Sequence, residues 1–334
     1  MTKICSRSRA TEIILPCDML AAMLQYVRCS DNNHNIRERT AYMERKQIDF
    51  VTHPQETHMV GDGFRVHNFI PQMPGMSRYD MDPFLLLDYN AAMPVAPGVP
   101  RGVGAHPHRG FSTVTFAYRG SVEHRDSRGN HGIISEGDVQ WMTAAKGVLH
   151  EELYEREFAA RGGCFQMVQL WVNLPANHKM DEPSYQSIRR EDMGRVELPS
   201  GGGIVEVVSG QYKGVSGPAR SHVDVTMLNL RMNKGGKAEF SFNEKHTTFL
   251  IVLSGAVEVN CVGVPQDNVL KFKRKGESFD IVATADNTVV LLVSGAPLHE
   301  PIVGIGPFVM NSHEELVQAF EDFNGGKYVF FISD

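Results

Sequence analysis

Residues 106–152 read HPHRGFSTVTFAYRGSVEHRDSRGNHGIISEGDVQWMTAAKGVLHEE. Within this stretch, Thr113–Tyr118, Ser121–His124, Ile133–Ile134 and Asp138–Met142 are short runs rich in β-branched or aromatic residues. Turn formers separate them: Arg119-Gly120, then Ser127-Arg128-Gly129-Asn130, then Glu136-Gly137-Asp138. Glycine accepts a positive φ, and Ser, Asn and Asp hydrogen-bond to their own backbone, so such clusters end one strand and begin the next. Several short strands at this spacing predict an all-β sandwich or barrel.

The two ends of the stretch carry chemistry. His106-Pro107-His108 and His150-Glu151-Glu152 each set two candidate metal ligands two residues apart. In a strand, residues i and i+2 point to the same face. His106 with His108, and His150 with Glu152, are thus predicted to meet if the two strands lie side by side. Glu151 competes with Glu152, but alternation turns it away from His150. Three imidazoles and one carboxylate suit a divalent transition metal such as iron, manganese, nickel, copper or zinc. His53, His58, His67, His178, His222, His246, His299 and His313 are read as ordinary core or surface histidines. His246 precedes a strand but has no second histidine two residues away.

The pattern recurs later in the chain. Phe249–Leu253, Ser254-Gly255 and Ala256–Val259 repeat Val114–Tyr118, Arg119-Gly120 and Ser121–His124. Lys275-Gly276-Glu277 before Phe279–Val282 parallels Glu136-Gly137-Asp138 before Val139–Met142, and Thr288–Val293 matches Phe165–Val172. Recurrence of a whole strand pattern predicts an internal duplication. The pattern is interrupted over 179–203, so the domains are expected at 44–180 and 185–334. Near the end, Ser312 and Glu315 form a capping box before the apolar stripe Leu316, Phe320 and Phe323, and Gly325-Gly326 stops the helix. This helix is expected to serve packing only.

The remaining composition narrows the function classes. The net charge is −6 and the pI near 6.2, so no basic face for nucleic acid is expected. No apolar run approaches the roughly 20 residues that cross a bilayer. The five cysteines are odd in number and form no CxxC pair, so they do not read as a disulfide framework. Residues 1–43 hold six basic and four acidic residues and a possible amphipathic segment, Asp18–Arg28. They read as a disordered extension, with a start at Met43 or a mitochondrial transit segment as alternatives.

Three motifs together resemble the pirin family of cupin proteins. They are His106-Pro107-His108-Arg109-Gly110-Phe111, then Gly137-Asp138-Val139-Gln140-Trp141-Met142-Thr143-Ala144, then Gly147-Val148-Leu149-His150-Glu151-Glu152. Leu170-Trp171-Val172-Asn173-Leu174-Pro175 and Gly304-Ile305-Gly306-Pro307-Phe308-Val309-Met310-Asn311 are also similar to that family, and the likeness spans roughly residues 44–334. It implies an all-β bicupin: two double-stranded β-helix barrels of the jelly-roll kind. The first would hold Fe2+, or another divalent transition metal, through His106, His108, His150 and Glu152; the second would carry no metal. It further implies a quercetin-type flavonol 2,3-dioxygenase, with Glu152 as the base that takes a proton from the flavonol hydroxyl. The alternative it implies is an iron-dependent transcription cofactor that contacts a protein partner, in the cytoplasm or nucleus. Two positions depart from the family pattern: Ser112 stands where a glutamate is common, and Ala145 where a glycine is common.

Overall fold

The strand Phe111–Arg119 is buried along its whole length except at Arg119. An isolated half-buried strand would alternate, so both of its faces must be covered. The computed structural model describes residues 44–53 and 56–328 and shows what covers them. Val114, Phe116 and Tyr118 face a second sheet, in a cluster shared with Met227, Phe249, Ile251 and Leu291. Ala117 faces the opposite way, into a separate cluster with Phe64, Val122, Tyr154 and Phe165. Each such side chain removed from water contributes roughly 1.5–3 kcal/mol, so this contact is a main source of stability.

The expected duplication is present with one match corrected: Ser278–Ala283 takes the place of Val148–Tyr154 in the small sheet, and the counterpart of Val139–Thr143 is Val269–Phe272. Each half pairs a seven-stranded sheet with a four-stranded one. The first large sheet runs, in spatial order, Ser184–Ile188, Val139–Thr143, Phe111–Arg119, Gly163–Asn173, Phe84–Val95, Phe64–Ile70 and His58–Val60. The second runs Ile48–Thr52, Val269–Phe272, Thr247–Ser254, Thr288–Gly295, Val225–Met232, Gly203–Ser209 and Gly194–Leu198. The fold is therefore an all-β bicupin. The large sheets meet face to face, and hydrogen bonds such as Tyr118 Oη to Asn229 Oδ1 at 2.6 Å and Gln166 Nε2 to the Leu253 carbonyl at 2.8 Å cross between them.

Chain order and sheet membership part at the edges. Ile48–Thr52, early in the sequence, closes the second large sheet against Val269–Phe272. Ser184–Ile188 closes the first against Val139–Thr143. The tail also crosses. The hairpin Val303–Ile305/Phe308–Met310 and the helix His313–Asn324 pack on Leu149 of the first barrel.

That helix carries the predicted capping box at Ser312 and Glu315 and ends at Gly325. Its Asp322 Oδ2 accepts from Arg109 Nη1 at 2.7 Å, tying the helix to the residue after His108. A six-residue helix, Arg156–Arg161, was not legible in the sequence because it is too short to show a period. Glu155 caps it by accepting from the Glu157 and Phe158 amides. The extension over residues 1–43, with its Asp18–Arg28 segment, lies outside the described residues. Among the described residues, no helix is long and apolar enough to cross a membrane.

Candidate metal centre

The strands Gly102–His108 and Val148–Tyr154 lie antiparallel in the four-stranded sheet of the first barrel. Their register sets His150 opposite His106 and Val148 opposite His108. The ring centroids stand 4.3 Å apart for His106–His150, and 4.8 Å for both His106–His108 and His108–His150. One donor atom from each of these three histidines lies within 4.8 Å of the others. Pairing of these two strands thus brings the three histidines together.

Glu152 is placed differently. The register shifts between His150 and Glu152, so Glu152 stands opposite Val103. A bulge of this kind re-aims the side chains that follow it. On the other flank, the strand Val122–Asp126 sets His124 opposite Glu152. Glu152 accordingly falls in a second donor group, with His124 and His150, again within 4.8 Å. The four expected residues fall in two overlapping triads that share His150 and include a fifth residue, His124. His124 is the member that the sequence reading missed. Its only signal was alternation, because Val122, His124 and Asp126 share one face of their strand.

Burial defines the electrostatics. His150 and His124 are fully buried and His108 is 3% exposed. Desolvation pushes the His150 imidazole well below its usual range, and His106, His108 and His124 add to the effect. His108 is lowered by desolvation first and then by His106, with the Pro307 carbonyl opposing. Both rings are therefore neutral near pH 7, the form in which imidazole binds a metal. His150 Nε2 and both His108 ring nitrogens are buried without a hydrogen-bond partner. Leaving a buried polar atom unpaired is costly, which fits a cation as the missing partner.

The surrounding groups orient the donors. His150 Nδ1 lies 3.4 Å from His124 Nδ1, so the other ring nitrogen is the one left for an ion. His106 Nδ1 meets the Gly104 carbonyl at 2.8 Å. Glu152 accepts from Thr115 Oγ1 at 3.0 Å and from Gln169 Nε2 at 2.7 Å, and Trp171 Nε1 donates to Gln169 Oε1 at 3.1 Å. Such outer contacts hold ligand orientation and tune the site.

A cavity of about 320 Å³ opens over His106, His108 and Glu152. Phe64, Val66, Leu86, Met167, Trp171 and Pro307 give it mostly apolar walls, with Asn68, Asp88 and Gln169 as polar points. Ser112 bonds Thr143 through their hydroxyls at 3.0 Å. Gly110 has φ +90°, and a Cβ there would meet the Val309 carbonyl at 1.9 Å, so only glycine lets the tail approach this close to His108.

The second barrel has no such donors in the corresponding place. The equivalent strands, Lys237–Ser241 and Ser278–Ala283, pair Ala238 with Ile281 and Phe240 with Phe279, all buried in one apolar cluster. His246 stands elsewhere, 3.8 Å from Asp224.

The family described as pirin matches residues 63–172, and the pirin C-terminal cupin domain matches residues 227–329. A Pseudomonas aeruginosa protein, provisionally named a quercetin 2,3-dioxygenase, is 43% identical over 273 residues, 81% of this chain and 94% of its own. Human pirin is 35% identical over 258 residues, 74% of this chain and 83% of its own. The crystal structure of a quercetin 2,3-dioxygenase from Acinetobacter baumannii is similar at a TM-score of 0.80 and 43% identity, over 85% of this chain and 98% of that one.

Proposed function

The chain belongs to the pirin family, and from that premise we propose that it is an iron-dependent dioxygenase acting on flavonols of the quercetin type. In this reading the half over 44–180 binds one Fe2+ through His106, His108, His150 and Glu152, and the half over 185–334 binds none. The neutral, unpaired nitrogens of His108 and His150 support the ligand assignment. The bound metal would supply Lewis acidity and open positions for an oxygen-rich chelating substrate.

The observation that carries the catalytic reading is the cavity. Its volume is within the range of small-molecule sites, and its walls are apolar with few polar points, as suits flat aromatic rings. Trp171, stacked on Phe111 at 4.2 Å, offers a rigid aromatic wall. Glu152 reaches the same space and is held at both oxygens, by Thr115 and Gln169. Glu152 would be a ligand in the resting state and the base that takes the proton of a flavonol 3-hydroxyl in turnover, since one carboxylate does not serve both roles at once.

The second reading is a cofactor that docks on a transcription factor according to iron redox state. It has no need of a substrate-sized cavity, so the cavity favours turnover. Oxygen uptake by the iron-loaded protein with flavonols carrying a free 3-hydroxyl tests the proposal. Glu152→Gln keeps the shape and should lower turnover by about 10²-fold or more, with metal content measured alongside. No uptake with any such flavonol, together with a redox-dependent protein partner, replaces the enzyme by the cofactor.

A further inference from the structure

We propose that His178, Asp181 and His222 form a second divalent-metal site, of the zinc class, that clamps the two barrels together. It is separate from the centre in the first barrel and does not rest on the proposed activity. One donor atom from each of the three lies within 4.8 Å of the others. The two imidazole rings are 4.4 Å apart, and His178 Nδ1 lies 2.7 Å from Asp181 Oδ2. In sequence both histidines look like ordinary surface residues; folding brings together positions 178 and 222.

Both sides of the cluster are anchored, so the donors are held near one another before any ion arrives. On the first side, His178 ends a short helical turn, Ala176–His178, and the Asp181 amide bonds the His178 carbonyl. Between them, Lys179 is buried and ties the turn down through the Gly110 carbonyl, Asn173 Oδ1 and the Val309 carbonyl, at 2.6, 2.6 and 3.1 Å. On the second side, Gln186 exchanges two hydrogen bonds with the Arg220 backbone, both at 2.9 Å. Val223, next to His222, is buried in the core between the barrels. Pre-ordered segments lose little entropy on binding.

The donor set selects the ion. Two imidazoles and one carboxylate, with water completing the shell, suit Zn2+ and its borderline neighbours; hard Ca2+ and Mg2+ prefer all-oxygen sites. Without an ion, the Asp181–His178 hydrogen bond holds two of the donors side by side, and binding would replace it. A tilted ring pair with a His178–Asp181 hydrogen bond and no ion is the competing account, and zinc distinguishes the two.

The test is equilibrium binding of Zn2+ alone to chelator-treated full-length protein, read as zinc per chain by elemental analysis. His222→Ala should bind one zinc fewer per chain than wild type, with an unchanged circular dichroism spectrum because the side chain is exposed. Asp181→Asn should weaken the same zinc. Zinc should raise the unfolding temperature of a His106→Ala/His150→Ala protein, and adding His222→Ala should abolish that rise. Equal zinc in wild type and His222→Ala overturns the proposal. So does a stabilisation by zinc that survives His222→Ala. The difference of one zinc is independent of what the first centre holds, so this result and the fate of the dioxygenase reading are separable.

Discussion

His124→Phe separates the two overlapping triads of the first barrel. His124 is fully buried, stacked on Tyr185 at 5.0 Å between ring centroids. Its Nδ1 lies 3.4 Å from His150 Nδ1, and its Nε2 lies 3.6 Å from Asp126 Oδ2. Asp126 is itself fixed, accepting from the Arg128 and Asn130 amides and from Asn130 Nδ2. Burial pushes the Asp126 carboxyl up, but contacts with His124, Asn130 and Arg128 outweigh it and hold the group below its usual value. His124 thus sits between the Asp126 carboxylate and the candidate ligand His150.

Phenylalanine keeps the ring volume and the stack on Tyr185 but removes both nitrogens. Loss of such an outer partner lowers metal affinity by about 10–100-fold. At about 1.4 kcal/mol per tenfold, that is about 1.4–2.7 kcal/mol. The metal-free protein loses one hydrogen bond between imidazoles, about 0.5–1.5 kcal/mol, so its unfolding temperature should fall by only a few degrees. Competition titration with a calibrated chelator, using Mn2+ as an air-stable stand-in and thermal unfolding as control, measures both. Stoichiometry should stay at one metal per first barrel while Kd rises. An unchanged Kd refutes the positioning role. Complete loss of the metal makes His124 a ligand in its own right.

Further outcomes follow from the same geometry. His106→Ala should lose most of the metal of the first barrel, whereas His246→Ala should leave it unchanged; elemental analysis of matched preparations decides. Ala145 has φ +42°, which costs an L-residue about 1–2 kcal/mol, partly offset by the entropy of glycine at about 0.5–1 kcal/mol. Ala145→Gly should therefore stabilise by up to about 1 kcal/mol, and a lower unfolding temperature would contradict that reasoning. Burial raises the Asp88 carboxyl from 3.8 to about 6, against the opposing effects of Asn68 and His58. Its folded value exceeds its unfolded one, so stability is undiminished below about pH 4 and falls as pH rises through about 6. Asp88→Asn should flatten that fall, on the order of 2–3 kcal/mol, in denaturant titrations across the range.

Much of the fold was legible because strand and turn propensities act over a few residues. Gly120 and Gly255 mark the same turn in the two halves, and both take a positive φ. The capping box at Ser312 was readable because its two partners lie three residues apart. The pairing of His106 with His108 needed only the two-residue period of a strand. Edge-strand membership was not legible. Ile48–Thr52 and Ser184–Ile188 look like any short strands, and which sheet they close depends on partners far along the chain.

The amino-acid sequence alone determined the all-β duplication, the family resemblance and three histidines of the candidate centre. Those follow from local alternation and from motifs that stay contiguous. The tertiary structure decided the register shift that turns Glu152 toward His124, the approach of the tail to Arg109, and the meeting of His178 with His222. Each of these joins residues brought together only by packing of sheets and loops. Packing energy is shared among many contacts, so no short stretch of sequence records it.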